Sequence, residues 1–292
     1  MSHPVAIVQA RMGSVRLQGK VLLPLCGSPM LWHIWQRCRA AEGIADVVVA
    51  TTDQPADDAI VAMCAAYSIP YFRGSEHDVL DRYYQAALRF QADPVLRITA
   101  DCPVIDPGVM VAVLQMHQLS GRRYDIVGAA AGAGAIHTDG CHFPDGVDVE
   151  CYSFTALQRL AETTFTPFDR EHVSPYAWRH PEEYAVGRVF APADYSAYRL
   201  TVDYEEDYFV IKNIYEVLWR PDSHFGLQEI LAYLTDNPDV PQRNQQYIGR
   251  EGYDALWQTG EFMTPRSLWQ RSGAKPKRSE HGVTKPISTK RG

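Results

Sequence analysis

The chain has 292 residues, 46% of them apolar and 22% charged, a composition that fits a globular protein and excludes wholesale disorder. That length allows one large α/β domain with additions or two small domains. The net charge of −7 is uneven: beyond Gln270 seven basic residues stand against Glu280 alone, so the tail carries +6 and residues 1–270 carry −13. The tail, rich in Gly, Pro, Ser and Thr, is expected to be a disordered, solvated terminus, and nucleic acid is not an expected partner. No run reaches the roughly 18 apolar residues of a membrane span, and the polar MSHP start resembles no export signal, which predicts a cytoplasmic protein. Six cysteines without a C-x-x-C pair predict reduced thiols and no structural zinc.

Val5 to Val8 is an apolar run that predicts a short buried strand. It empties into a loop with Gly13, Ser14 and Gly19 and the cations Arg11, Arg16 and Lys20. Glycines let a backbone approach an anion, and guanidinium and ammonium groups neutralise a polyphosphate. The spacing matches neither G-x-x-x-x-G-K-[ST] nor G-x-G-x-x-G. A solvated basic loop is the bland alternative.

Apolar Val21 to Leu25 follows, then a helix over Met30 to Arg39, a buried strand over Asp46 to Thr52 and a helix over Asp57 to Tyr67. Tyr71 to Arg73 is a short strand, and Asp78 to Phe90 a helix with Val79, Tyr83 and Ala86 or Ala87 on one face. Pro94 to Thr99 is a strand that delivers Asp101, Pro107 to Leu119 a helix, and Tyr124 to Val127 a strand. The small-residue stretch Ala129 to Gly140 is a loop or a tolerated insertion. Phe143 to Tyr152 is expected as a strand, and Phe154 to Glu162 and Asp169 to Trp178 as helices. Tyr184 to Phe190 and Tyr198 to Val202 are expected strands, the second ending in Asp203. Helices over Glu205 to Leu218 and Leu227 to Thr235 close the pattern.

Alternating strands and helices predict an α/β fold with right-handed crossovers and a mainly parallel sheet, whose ligands bind at the carboxyl ends of the strands. Arg11 to Lys20, Arg73, Asp101 and Asp203 would all stand at such ends. Magnesium takes oxygen ligands, usually one or two carboxylates plus substrate phosphates, which suits Asp101 and Asp203; the alternative for each is an ordinary turn or helix cap.

The run Gln9 to Lys20 resembles the R-x-x-S-x-R-L-P-G-K signature of cytidylyltransferases, the enzymes that make CMP-activated sugar acids, with Gln18 in place of the usual Pro. In order and spacing, VVVATTDQPADDAIV, FRGSEHDVLDRYYQAA, RITADCPVIDP, FPDGVDVECYSFTAL, REHVSPY and RLTVDYEED are similar to the spore coat polysaccharide biosynthesis protein F branch of that family. The resemblance runs from about Val5 to Leu218.

It implies a three-layer α/β/α fold with a Rossmann-like twisted sheet of the nucleotide-diphospho-sugar transferase type over residues 1–237, followed by an extension (238–270) and the basic tail (271–292). It implies transfer of CMP from CTP to a sugar acid or related acceptor in surface polysaccharide assembly, with release of pyrophosphate and Mg²⁺ as cofactor. Another nucleotide, a phosphorylated or phosphonate acceptor, or a glycosyltransferase are the competing readings. The last lacks a D-x-D at a strand end, having Asp145-Gly-Val-Asp148 instead. By resemblance Arg11 and Lys20 hold the triphosphate, Asp101 and Asp203 bind the metal, and Gln9, Ala10, Gly13, Ser14 and Arg16 surround the nucleotide. Arg73 is expected at the base or ribose, with an ion pair to Glu76 or Asp78 as the alternative. The acceptor is expected to meet Asp145, Asp148, Glu150, Arg170 and His172, with Arg82 or Asp81 turned toward it but not both. A homodimer is the expected assembly.

Overall fold

The computed structural model describes residues 2–119, 124–131, 140–221 and 223–248; the basic tail and most of the Ala129 to Gly140 loop fall outside these. In chain order the elements are β1 (Val5–Gln9), β2 (Pro24–Leu25), β3 (Ser28–Pro29), α1 (Met30–Arg39), β4 (Asp46–Thr52), α2 (Asp58–Ala66), β5 (Tyr71–Gly74), α3 (Val79–Phe90), β6 (Val95–Thr99) and α4 (Pro107–Leu119). They continue as β7 (Ile126–Ala129), β8 (Glu150–Tyr152), α5 (Phe154–Thr163), α6 (Pro167–His172), α7 (Pro175–Arg179), β9 (Val186–Val189), α8 (Glu205–Leu218), α9 (Leu227–Asp236) and α10 (Asp239–Gln242).

The main sheet has the order β5-β4-β1-β6-β8-β7-β9. Its pairs are parallel except where β8 runs against β6 and β7. Strands β1 and β4 are apolar because helices cover the sheet on both faces. On one face Ala6, Val8, Val47 and Val49 join Leu31, Ile34 and Ile60; on the other Val5, Ile7 and Val48 pack against Val79, Tyr83, Ala86 and Ala87. The expected face of α3 is the buried one, and Trp35 enters the core with its indole NH on the carbonyl of Val47 (3.1 Å). Among the described residues no helix is long and apolar enough to cross a membrane.

Three expected elements differ. Pairing over 143–152 is confined to Glu150–Tyr152, and residues 198–202 form no strand, only a bridge between Asp145 and Arg199. Pro144 cannot donate to a ladder, and Gly146 adopts a left-handed φ of 98° so that the chain can pass against the Leu200–Thr201 peptide, where a Cβ would clash. The expected helix 169–178 is two helices, α6 and α7. Between them buried Val173 sits at φ 73°, ψ −63°, a γ-turn closed by Ser174 N–H on the carbonyl of His172 (2.9 Å), and Pro175 prevents helical continuation.

His33 on α1 is buried among Trp32, Tyr215 and Trp219, with its Nε2 2.7 Å from the carbonyl of Leu25. Burial, reinforced by the nearby Arg37 charge and only partly opposed by that hydrogen bond, lowers its pKa to about 4. The unfolded chain therefore binds the proton first as pH falls. Stability is complete above the unfolded value near 6.5 and declines through the window down to about 4, by on the order of 3 kcal/mol from this residue. Urea unfolding at pH 7 and 4.5 should show a smaller difference for His33→Gln than for wild type; equal differences would exclude this linkage.

Candidate active site

One cavity of about 580 Å³ opens at the carboxyl ends of β1 and β6. The loop after β1 is its roof, and two anchors hold that loop. Buried Asp57 accepts the backbone N–H of Met12 (2.7 Å) on one carboxylate oxygen and the N–H of Thr52 (3.2 Å) and its hydroxyl on the other. The hydroxyl of Ser14 accepts the N–H of Leu17 (3.4 Å), closing a local turn.

Lys20 is the centre of the site. Its Nζ donates to the carbonyl of Val202 (2.7 Å), to Asp203 (3.0 Å) and to Asp101 (3.4 Å), with only 8% of the residue exposed. Burial alone would lower its pKa, but the two carboxylates more than compensate and hold it above the usual value. Burial likewise would raise the Asp101 carboxyl, yet the Lys20 ammonium and hydrogen bonds, including one from Thr99, hold it at about 2. Asp203 also meets Arg16 (2.7 Å) and Arg199 (3.0 Å). Arg199 is buried and bridges Asp145 (2.7 Å), Asp203 and the fully buried Asp207 (3.0 Å). Asp207 in turn accepts the N–H groups of Asp203 (2.9 Å) and Tyr204 (3.0 Å), which places Asp203 at the mouth of α8. Asp148 accepts from the Gly146 N–H (2.8 Å), and burial together with the charge of Asp145 pushes its carboxyl up to about 8.

The other end of the cavity is lined by arginines. Arg97 pairs with Glu150 across β6 and β8 (3.1 Å), and Glu150 also accepts the Tyr152 hydroxyl (2.7 Å). Arg11 pairs with Glu171 (3.1 Å), and buried Arg82 donates to the carbonyl of Ser75 (2.6 Å). Arg188 on β9 lies over the Trp178 ring (5.1 Å), and burial lowers its pKa. Among the described residues no carboxylate lies within hydrogen-bond range of Arg188. His172 lines the same end and is driven to a pKa of about 4 by burial and by the charges of Arg97 and Arg11, so it is neutral at pH 7.

Gln9, Ala10, Arg11, Gly13, Ser14, Arg16, Lys20, Arg82, Asp101, Asp145, Asp148, Glu150, His172 and Asp203 therefore all line one cavity. Arg73 and Arg170 do not. Arg73 donates to the carbonyls of Thr52 (2.8 Å) and Gln54 (3.0 Å) and pairs with Asp58 (2.7 Å), neither of the carboxylates expected as its partner. Arg170 grips both oxygens of Asp78, the N-cap of α3, and the carbonyls of Ala161 and Thr164. Each guanidinium is consumed by structure. Of Asp81 and Arg82 it is Arg82 that faces the cavity; the Asp81 carboxylate accepts from Gln85 on the outer side of α3.

Sequence reasoning missed Arg97, Trp178, Arg188, Arg199 and Asp207. A charged residue inside an otherwise apolar strand, as in Val-Leu-Arg97-Ile-Thr or Val-Gly-Arg188-Val, was the available signal.

Comparison with known proteins agrees with this geometry. The model of the family described as cytidylyltransferase matches residues 5–229. The chain belongs to the cytidylyltransferase family. It is therefore a nucleotidyltransferase. The spore coat polysaccharide biosynthesis protein SpsF of Bacillus subtilis is 33% identical to it over 248 residues, 82% of this chain and 97% of that protein. A 3-deoxy-manno-octulosonate cytidylyltransferase of Bartonella bacilliformis is 30% identical over 60% of this chain and 74% of its own length. Among solved structures, a cytidylyltransferase from Leptospira borgpetersenii superposes with a TM-score of 0.75 at 28% identity, covering 82% of this chain and 97% of that one. A CMP:2-keto-3-deoxy-manno-octonic acid synthetase complexed with CTP has a TM-score of 0.58 at 18% identity, over 73% of this chain and 98% of that one, and shares the fold.

If Arg170 serves structure and not substrate, Arg170→Met should cost about 2 kcal/mol of stability, the scale of hydrogen bonds to a charged group. It should leave nucleotide and acceptor KM unchanged in the surviving folded enzyme. A raised acceptor KM at full stability would return Arg170 to the substrate site.

Proposed function

We propose that this cytidylyltransferase transfers CMP from CTP to a sugar acid, releasing pyrophosphate, in surface polysaccharide or glycoconjugate biosynthesis. The observation that carries the reading is the buried Lys20 ammonium set between Asp101 and Asp203, under a loop that adds Arg11, Arg16 and glycine backbone. Nucleotidyl transfer needs no covalent nucleophile; it needs charge placed around a triphosphate and an acceptor oxygen held in line with the α-phosphorus.

Asp101 and Asp203 offer the hard oxygen donors that Mg²⁺ prefers, and a cation already stands against both, so the residues present fit such a metal. Bound there, a divalent cation supplies neutralisation of the triphosphate and of the leaving pyrophosphate. Arg11, Arg16 and Lys20 are placed to hold phosphate oxygens, and Arg199 keeps the Asp203 carboxylate pointed at the cavity.

The acceptor belongs at the arginine-lined end. A desolvated guanidinium gains most from an ionic, bidentate partner, which a carboxylate provides. Arg188, which lines the cavity near the Glu150 charge but with no carboxylate in hydrogen-bond range among the described residues, is the candidate anchor, with Trp178 beside it as an apolar wall. This replaces the role expected of Arg170.

A pyrophosphate-release assay that crosses CTP, UTP, ATP and GTP with a 3-deoxy sugar acid and a sugar phosphate tests the reading. Release is expected with CTP and the sugar acid, and to depend on a divalent cation. Asp101→Asn and Asp203→Asn should lower kcat by about 10² or more, and Arg188→Met should raise the acceptor KM about tenfold, the equivalent of one lost charge-assisted contact. Turnover of the sugar phosphate alone, or full activity of both aspartate variants, would overturn it.

A further inference from the structure

The family match ends at residue 229, yet the chain beyond it returns to the floor of the site. After α10, the side chain of Asn244 is 1% exposed, and its amide donates both to the carbonyl of Arg199 (3.0 Å) and to the carboxylate of Asp207 (2.9 Å). Those are the two residues that orient Asp203. On either side of Asn244, Arg243 lies over the Phe209 ring (5.1 Å), and Tyr247 stacks on Tyr204 at 3.9 Å and 8°. Tyr204 follows Asp203 directly, and the Arg16 guanidinium stands 5.4 Å from its ring.

We propose that Asn244 is a positioning residue for the metal and triphosphate site, acting through Asp207 and Arg199 on Asp203. The chemistry is specific to an amide. Asp207 takes the Arg199 Nε and the Asn244 amide on one oxygen; on the other it takes Arg199 Nη2 (3.2 Å) and the N–H groups of Asp203 and Tyr204. A fully buried carboxylate needs its lone pairs occupied, and Asn244 supplies the donor that also ties the Arg199 backbone to it. With both ends of Arg199 fixed, its guanidinium has one orientation toward Asp203. Partners that hydrogen-bond a ligand directly set its direction, and their loss typically costs 10–100-fold in metal affinity or activity; Asn244 acts one contact further out, at the low end of that range.

The inference rests on the reading of Asp101 and Asp203 as a metal site, and the test separates the two. Mn²⁺ binding is measured on the full chain by equilibrium dialysis, with the same saturating CTP concentration on both sides so that chelation by the nucleotide cancels. Asn244→Ala should raise the half-saturating Mn²⁺ concentration about tenfold. Asn244→Asp should raise it further, because it sets a second carboxylate against Asp207. Asn244→Ser, whose hydroxyl sits one bond short of the amide nitrogen and cannot reach both acceptors, should raise it as Asn244→Ala does. Thermal midpoints recorded without ligand report the purely structural cost. Half-saturation within twofold of wild type in all three variants, whatever their midpoints, would overturn the proposal. Failure of wild type itself to bind Mn²⁺ in the presence of CTP would overturn the metal reading, and the inference with it.

Discussion

A single ammonium group ties this fold together at its functional end. Lys20 comes from the loop after β1, Asp101 from the end of β6, and Val202 and Asp203 from the segment that enters α8, more than 180 positions along the chain. Burying an ammonium is expensive unless every proton finds an acceptor, and here all three do. The same requirement explains the arrangement beneath it. Asp203 must be oriented, so Arg199 is buried beside it; Arg199 must be neutralised, so half-buried Asp145 and fully buried Asp207 meet it; Asp207 must be saturated, so backbone N–H groups and Asn244 surround it. The network converts a sheet end into a fixed array of charge, which suits a polyphosphate substrate.

The two ends of the cavity divide the work by charge. At one end cations and carboxylates alternate around Lys20 and Asp203. At the other, arginines predominate: Glu150 and Glu171 pair with Arg97 and Arg11, while Arg188 feels the Glu150 charge without a hydrogen bond to it. His172, neutral at pH 7, adds polarity without charge. The anionic acceptor proposed above would give Arg188 the bidentate partner that Glu150 does not.

The sheet was legible in the sequence because β1, β4 and β6 are short apolar runs separated by amphipathic helices, and burial on both faces leaves that pattern intact. The loop cations and Asp101 meet in one cavity because the carboxyl ends of parallel strands open together; Asp203 reaches it without a strand before it, and Arg73 at the end of β5 does not reach it. What sequence could not supply was the pairing of cations with partners. Arg73 and Arg170 look like substrate contacts in one dimension, but each guanidinium nitrogen already has an acceptor within its own neighbourhood, at Thr52, Gln54 and Asp58 for one and at Asp78, Ala161 and Thr164 for the other. The segment 198–202 reads as a strand because it alternates, yet its Arg199 is spent on three carboxylates and its backbone pairs only at the single bridge to Asp145. Asn244 carries no local signal, since a lone Asn in a polar stretch is ordinarily a turn residue.

The most direct test of the account is a crystal structure of the protein grown with CTP and Mn²⁺, with data collected at the manganese absorption edge. An anomalous peak within coordination distance of both Asp101 and Asp203, with the Lys20 ammonium turned onto phosphate oxygens, is the predicted result. A peak elsewhere, or CTP bound while Lys20 still bridges the two aspartates, would contradict the assignment of this array as the seat of nucleotidyl transfer.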